Sequence, residues 1–285
     1  MRVAVCLAGQ PRSYKVCCKN IRNVFENAGV SVDYHIHTWA CNEGNATPRQ
    51  KLSRELLETD LLQMYSPKFL KVENYWTDIV YPETWTVSQT LKSVTNVEDS
   101  EEFRYDWVFV GRLDWFRPYG RVNYSLVAQK SKELREMWGG YEGIDAMECE
   151  GKSYVRQEDF TYSFNSPTAR VWSNLYEDRL ELTQKVRNLK GSFEHSDLES
   201  RICNCQECFF ALEAVLHNIV VYPGADILEP GFPLRVSLAD KVGMSIYRPD
   251  VRQKVLNFLT SFGWYHTEQE VNSYFGSAIK PKTVV

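Results

Sequence analysis

Apolar and polar positions alternate in period along the first half of the chain. Val3 to Gly9 is a short, nearly continuous apolar run that reads as a strand. Ser13 then offers a cap, and Cys17, Ile21, Val24, Phe25 and Ala28 recur at the helical period until Gly29 stops the helix. Val32 to Trp39 is the next strand. Thr47 and Pro48 form a cap and first-turn pair, which predicts a helix carrying Leu52, Leu56, Leu57 and Leu61 and stopping before Pro67. Phe69 to Val72 supplies a third strand. Val87, Leu91 and Val94 place a further helix ahead of Trp107 to Val110, a run suited to a strand buried on both faces. Strictly alternating strands and helices predict a mostly parallel sheet with right-handed crossovers.

Beyond residue 114 the rhythm changes. Leu126 to Trp138 reads as a helix, Tyr154 to Phe164 as one or two strands, and Ser166-Pro167 as the opening of a helix through about Leu189. Gln206 to Asn218 reads as a helix feeding the strand Ile219 to Tyr222, with two more helices near Val251 to Phe262 and Glu268 to Tyr274. No internal repeat or low-complexity linker divides the chain. The expected organisation is one domain over 1–225 and a C-terminal extension over 226–285 packed on it.

Composition narrows the class. A chain of 285 residues, 44% hydrophobic and 25% charged, can bury a full α/β core. No window approaches the roughly 20 apolar residues of a membrane span. Met1 leads straight into the first strand without the basic start, apolar middle and small-residue cleavage site of a secretory signal, so a cytoplasmic protein is expected, in the producing or a host cell. Asn45 and Asn123 then head idle glycosylation sequences. A formal charge of −4 argues against broad nucleic-acid binding, which needs many cations on phosphates, while leaving a local basic groove open.

Of the eight cysteines, Cys6, Cys17 and Cys18 sit in apolar settings and read as small core residues. Cys203, Cys205 and Cys208 are denser and would bind zinc only with Cys149 or His195 as a fourth ligand; the second ligand pair of familiar structural sites is missing.

The chemistry concentrates at the end of the Trp107 strand. Arg112, Asp114 and Arg117 put one carboxylate between two guanidiniums, where ligands gather in open α/β sheets. This is a place to hold a phosphate, or else a structural Arg112–Asp114 ion pair. His35 and His37, two apart on a strand, share a face with Asp33; a strand end facing a nucleotide is preferred there over a metal site. Trp39 is either a cover for a base or sugar ring or plain core.

Four stretches in order resemble a group of bacterial and large-virus glycosyltransferases of the GT-A fold: Val5-Cys-Leu-Ala-Gly-Gln-Pro-Arg12, His35-Ile-His-Thr-Trp39, Ser88-Gln-Thr-Leu-Lys-Ser93 and Tyr105-Asp-Trp-Val-Phe-Val-Gly-Arg-Leu-Asp114. The resemblance covers about residues 1–120 and fades towards residue 222. It implies a GT-A-like, Rossmann-like sheet flanked by helices with a helical C-terminal extension. It also implies transfer of a sugar from a nucleotide-diphosphate sugar to a hydroxyl of a glycan or polysaccharide.

Ala8, Gly9, Gln10, Arg12, His37, Thr38, Ser88, Gln89, Lys92 and Arg112 are the expected donor-binding residues. Asp114 is the expected ligand of Mn²⁺ or Mg²⁺. The family's usual Asp-x-Asp reads Arg112-Leu113-Asp114 here, so one carboxylate has become an arginine, and arginines can do part of a metal's work on phosphate. Asp159 or Glu158 is the expected base for an inverting transfer, placed after the metal strand, with Glu207 the next carboxylate in line. Competing readings are an inactive nucleotide- or sugar-binding protein, a glycosyltransferase acting on a modified DNA base, and a nucleotidyltransferase.

Overall fold

The computed structural model describes residues 1–12, 14–26, 29–44, 47–74, 82–116, 122–131, 136–139, 146–149, 152–155, 161–181, 217, 219–223, 227–228 and 232–233. Its elements in chain order begin β1 (Arg2–Gly9), α1 (Tyr14–Phe25), β2 (Ser31–Trp39), β3 (Cys41–Gly44), β4 (Thr47–Lys51), α2 (Arg54–Tyr65), β5 (Phe69–Glu73), α3 (Pro82–Ser100) and β6 (Trp107–Arg112). There follow β7 (Trp115–Phe116), α4 (Tyr124–Lys130), β8 (Glu136–Gly139), β9 (Ala146–Cys149), β10 (Lys152–Val155), β11 (Thr161–Phe164), α5 (Ser166–Trp172), β12 (Val220–Pro223) and β13 (Phe232–Pro233). The helices expected in the C-terminal extension, near 251–262 and 268–274, lie outside the described residues.

Among the described residues, seven strands form one sheet in the order β12-β8-β11-β6-β1-β2-β5. β6, β1, β2 and β5 run parallel, and β11 is antiparallel to both β6 and β8. The sheet is therefore the mostly parallel α/β sheet that the alternating pattern predicts. From β1 the chain steps outward through β2 to β5, then returns to the other side of β1 as β6. The strand order reverses between β1 and β6, and a crevice opens beyond the carboxyl ends of such a pair.

Alternation sorts side chains to two layers. Val3, Val5 and Leu7 of β1 join Cys17, Ile21, Val24 and Phe25 of α1 in one buried cluster with Tyr34, Ile36, Trp107 and Phe109. The helical period read from α1 is the period that is buried. Cys6, Cys17, Cys18 and Cys41 are buried free thiols, as the core reading of the first three requires. Burial pushes the thiols of Cys6 and Cys17 well above their ordinary range, so they stay protonated.

The opposite layer is more polar. α3 packs on β1 and β2, presenting the buried Thr86, Ser88, Thr90 and Ser93. These hydroxyls are buried at small cost because several bond back into their own helix: Thr90 donates to the Val87 carbonyl at 2.8 Å and Ser93 to the Thr90 carbonyl at 2.6 Å. At the far end, buried Glu98 accepts the Tyr105 N–H at 2.9 Å and faces Arg170 at 3.3 Å, tying α3 to both β6 and α5.

Two expected helices are corrected. Thr47 and Pro48 do not begin one: Thr47–Lys51 pairs antiparallel with Cys41–Gly44, and α2 starts at Arg54 behind the Ser53 cap, whose hydroxyl accepts the Leu56 N–H at 3.3 Å. A residue before proline is pushed to extended backbone, which suits a cap and a strand equally, and here cross-strand pairing takes it. Leu126 to Trp138 is not one helix either. α4 ends at Lys130, and Glu136–Gly139 is a strand paired on both sides, with β11 and β12. Two ladders outweigh the modest helical preference of this segment. The helix expected from Ser166-Pro167 does open at Ser166, behind Asn165, which accepts the Thr168 N–H at 3.0 Å, but it closes at Trp172 rather than running on towards Leu189.

Candidate functional site

β1 ends at Gly9 with φ of +95°, a left-handed backbone that glycine adopts without strain. The turned-out Gly9 carbonyl accepts the Thr38 hydroxyl at 2.7 Å, which couples the ends of β1 and β2. The Tyr14 N–H closes the following turn on the Pro11 carbonyl at 2.8 Å. Arg12 in between also lies in the left-handed region, φ +34°, a cost of about 1–2 kcal/mol for a residue with a Cβ.

That turn sends Arg12 across to the end of β6. Its Nη1 lies 3.2 Å from Asp114 Oδ2. Arg112 holds the same carboxylate through two bonds, Nε to Oδ1 at 2.8 Å and Nη2 to Oδ2 at 3.0 Å. Asp114 is completely buried. Burial raises the cost of its charge, yet the guanidiniums of Arg112 and Arg12 overcome that and hold its carboxyl below the usual carboxylate range. The turn after β1 and the end of β6 are thus joined directly. The ion-pair reading of Arg112 and Asp114 is realised, with a third member that sequence spacing did not reveal, 102 positions away.

This arrangement does not suit a divalent cation. Both Asp114 oxygens already accept guanidinium N–H groups. A dication touching them would stand about 5 Å from two positive charges, each repelling it by about 7 kcal/mol at an effective dielectric near 20. No cluster of three or more His, Cys, Asp or Glu side chains suited to a metal occurs among the described residues.

Other expected residues fall nearby or elsewhere. Ala8 stands between His37 of β2 and Arg112 of β6 in the strand register, so these three share a row. Gln10 is partly buried in the turn after Gly9. His37 is fully buried, its Nε2 3.1 Å from Glu73 Oε2. Burial lowers its pKa to about 4 against the pull of Glu73, so it is neutral near pH 7.

His35, expected to face a nucleotide, instead lies under α3: Nδ1 meets the Ser93 hydroxyl at 2.8 Å and Nε2 the Tyr105 hydroxyl at 3.3 Å. Asp33 is taken by Arg2 at 2.7 Å and Tyr105 at 2.9 Å. Trp39 is buried core. Ser88, also fully buried, donates to the Ser173 carbonyl at 2.5 Å, and Lys92 pairs with Glu177, so these two join α3 to the segment after α5. Gln89 is partly exposed on α3.

Glu158, Asp159, Arg117, Glu207, His195 and the Cys203, Cys205 and Cys208 group lie outside the described residues. Sequence reasoning passed over Glu73 and Trp85. Glu73 closes β5, accepts the Trp85 indole N–H at 3.0 Å and pairs with Lys71 at 2.5 Å beside His37. Its signal was a carboxylate at the carboxyl end of a parallel strand.

No family model and no curated protein matches the chain. Among solved structures, galactosyltransferase LgtC in complex with donor and acceptor sugar analogs is 11% identical at a TM-score of 0.42, covering 97% of this chain and 100% of its own. The 4-diphosphocytidyl-2C-methyl-D-erythritol synthase of Anaerococcus prevotii DSM 20548 is 10% identical at 0.35, covering 90% of this chain and 95% of its own. Similarity at this level leaves the chemistry to be argued from the residues. No helix among the described residues is long and apolar enough to cross a membrane.

Proposed function

We propose that the protein is a glycosyltransferase that takes a sugar from a nucleotide-diphosphate donor and passes it to a hydroxyl of a glycan or related acceptor. The observation that carries this reading is the Arg12–Asp114–Arg112 cluster, which bridges the carboxyl ends of β1 and β6 where the strand order reverses. Guanidiniums held in a fixed orientation match phosphate oxygens as they match carboxylate oxygens. The crevice beside such a strand pair is where α/β sheets bind nucleotides.

In the transfer, the acceptor oxygen bonds to the anomeric carbon as the bond from that carbon to the terminal phosphate oxygen breaks. The electron pair leaves on that phosphate, next to the arginines, and the acceptor proton passes to a carboxylate. Asp159, or Glu158, is the proposed proton acceptor, from its position after the β6 strand and beside the aromatic segment Phe160 to Phe164.

A thermal-shift panel of nucleoside diphosphates and their sugar conjugates tests the reading, since a ligand of the native state raises its melting temperature by mass action. One base is expected to stabilise the protein, and its sugar conjugate to be consumed when glycan acceptors are added. Stabilisation without consumption across acceptors would favour the binding-protein alternative. No stabilisation by any nucleotide would remove the donor site.

A further inference from the structure

We propose that this site handles its donor's diphosphate without a divalent cation, Arg12 and Arg112 meeting the charge and Asp114 acting as the strut that fixes them. The inference rests on the donor-site reading above and deepens it. Asp114 occupies the place where a metal-binding carboxylate is expected, yet its contacts with the described residues are those of an arginine anchor. It is completely buried, Arg112 grips it through two N–H groups at 2.8 and 3.0 Å, and Arg12 reaches its Oδ2 from another loop at 3.2 Å.

A carboxylate serving a metal must turn at least one oxygen towards it. Turning either Asp114 oxygen would break a guanidinium bond inside a buried cluster, and the incoming cation would face two like charges. Among the described residues the neighbours do not supply a substitute ligand set. In the row beside Arg112 stand Ala8, which has no donor atom, and His37, which faces Glu73. Glu73 in turn is engaged by Lys71 and Trp85.

The arrangement inverts the usual assignment of roles. Here the positive charge is covalently part of the protein and the carboxylate is its support, so Asp114 is a positioning residue and the arginines are the phosphate contacts. An arginine also differs from a metal in what it requires. It needs no free cation in the medium and offers planar paired donors, which a lysine in the same place cannot reproduce.

The test compares binding of ADP, CDP, GDP and UDP to the full chain by calorimetry, once in EDTA and once with Mn²⁺, alongside a titration of Mn²⁺ alone followed by its electron paramagnetic resonance. For the diphosphate that binds best, the two dissociation constants are expected to agree within about threefold, about 0.7 kcal/mol at 1.4 kcal/mol per tenfold. Mn²⁺ alone is expected to show no site that disappears in Asp114→Asn. Arg112→Lys is expected to weaken that diphosphate by about tenfold or more in both buffers, because the paired donors are lost.

Binding tightened about tenfold or more by Mn²⁺, or a Mn²⁺ site lost in Asp114→Asn, overturns the inference while leaving the donor site standing. Absence of diphosphate binding in both buffers overturns the donor site and the inference together. The comparison in the unaltered protein needs no variant to fold.

Discussion

Replacing Asp114 by asparagine keeps the side chain's shape and removes the charge that two guanidiniums surround. The structure sets the size of the effect. The carboxylate is fully buried and takes three N–H bonds from Arg112 and Arg12. Leaving a buried partner charge uncompensated costs about 3–5 kcal/mol, a large share of the roughly 5–15 kcal/mol that holds a domain folded. At about 2–4 °C per kcal/mol, the melting temperature should fall by roughly 10 °C.

Urea unfolding in metal-free buffer measures the loss directly. Arg112→Met should lose a comparable amount, and the double variant less than the sum, because the second substitution removes a partner already orphaned. The pH dependence has a defined sign. The Asp114 carboxyl is held below its unfolded value, so its contribution is complete above the unfolded pKa of about 3.9 and is lost as pH falls through the folded one. The gap between the native protein and Asp114→Asn should therefore stay constant at neutral pH and close only in strong acid. A variant as stable as the native protein within about 0.5 kcal/mol, or additive losses in the double variant, would refute the picture of a strained, mutually supporting cluster.

His35 and His37 define a different acid window. Their pKa values are lowered to about 4 by burial, while the unfolded chain titrates near 6.5, so stability should fall as pH drops from 6.5 towards 4; urea midpoints at stepped pH should show it, with a shallower slope in His35→Gln. Gly9→Val should cost about 1–2 kcal/mol through its left-handed backbone alone, since among the described residues no neighbouring atom lies within 4 Å of the added Cβ; an unchanged denaturation midpoint would show that the turn relaxes freely. Asp114→Asn should slow transfer at least about tenfold, some 1.4 kcal/mol of barrier, measured as nucleotide release at matched folded fraction. Asp159→Asn or Glu158→Gln should abolish transfer while donor binding by calorimetry persists; full activity in both would shift attention to Glu207.

The parts legible from the amino acids are those whose burial follows a local period. Val3 to Gly9, Cys17 to Phe25, Val87 to Val94 and Trp107 to Val110 each carry their apolar side chains at spacings that suit one conformation, and each is found in it. The Arg112–Asp114 pair, two residues apart, was visible as a cluster of charge at a strand end.

Elements set by partners far along the chain were not legible. Thr47–Lys51 is a strand because Cys41–Gly44 folds back on it, and Glu136–Gly139 is a strand because β11 and β12 flank it. Ser88 read as a donor contact and His35 as part of a strand end facing a nucleotide, yet α3 lies where it presents one to Ser173 and covers the other with Ser93. Above all, Arg12 and Asp114 are 102 positions apart and meet only because β1 and β6 are neighbours in the sheet. Periodicity carries the energy of burying one face and so is written locally. A hydrogen bond or ion pair between distant segments depends on which strands become neighbours, and that follows from how all the buried faces are satisfied together.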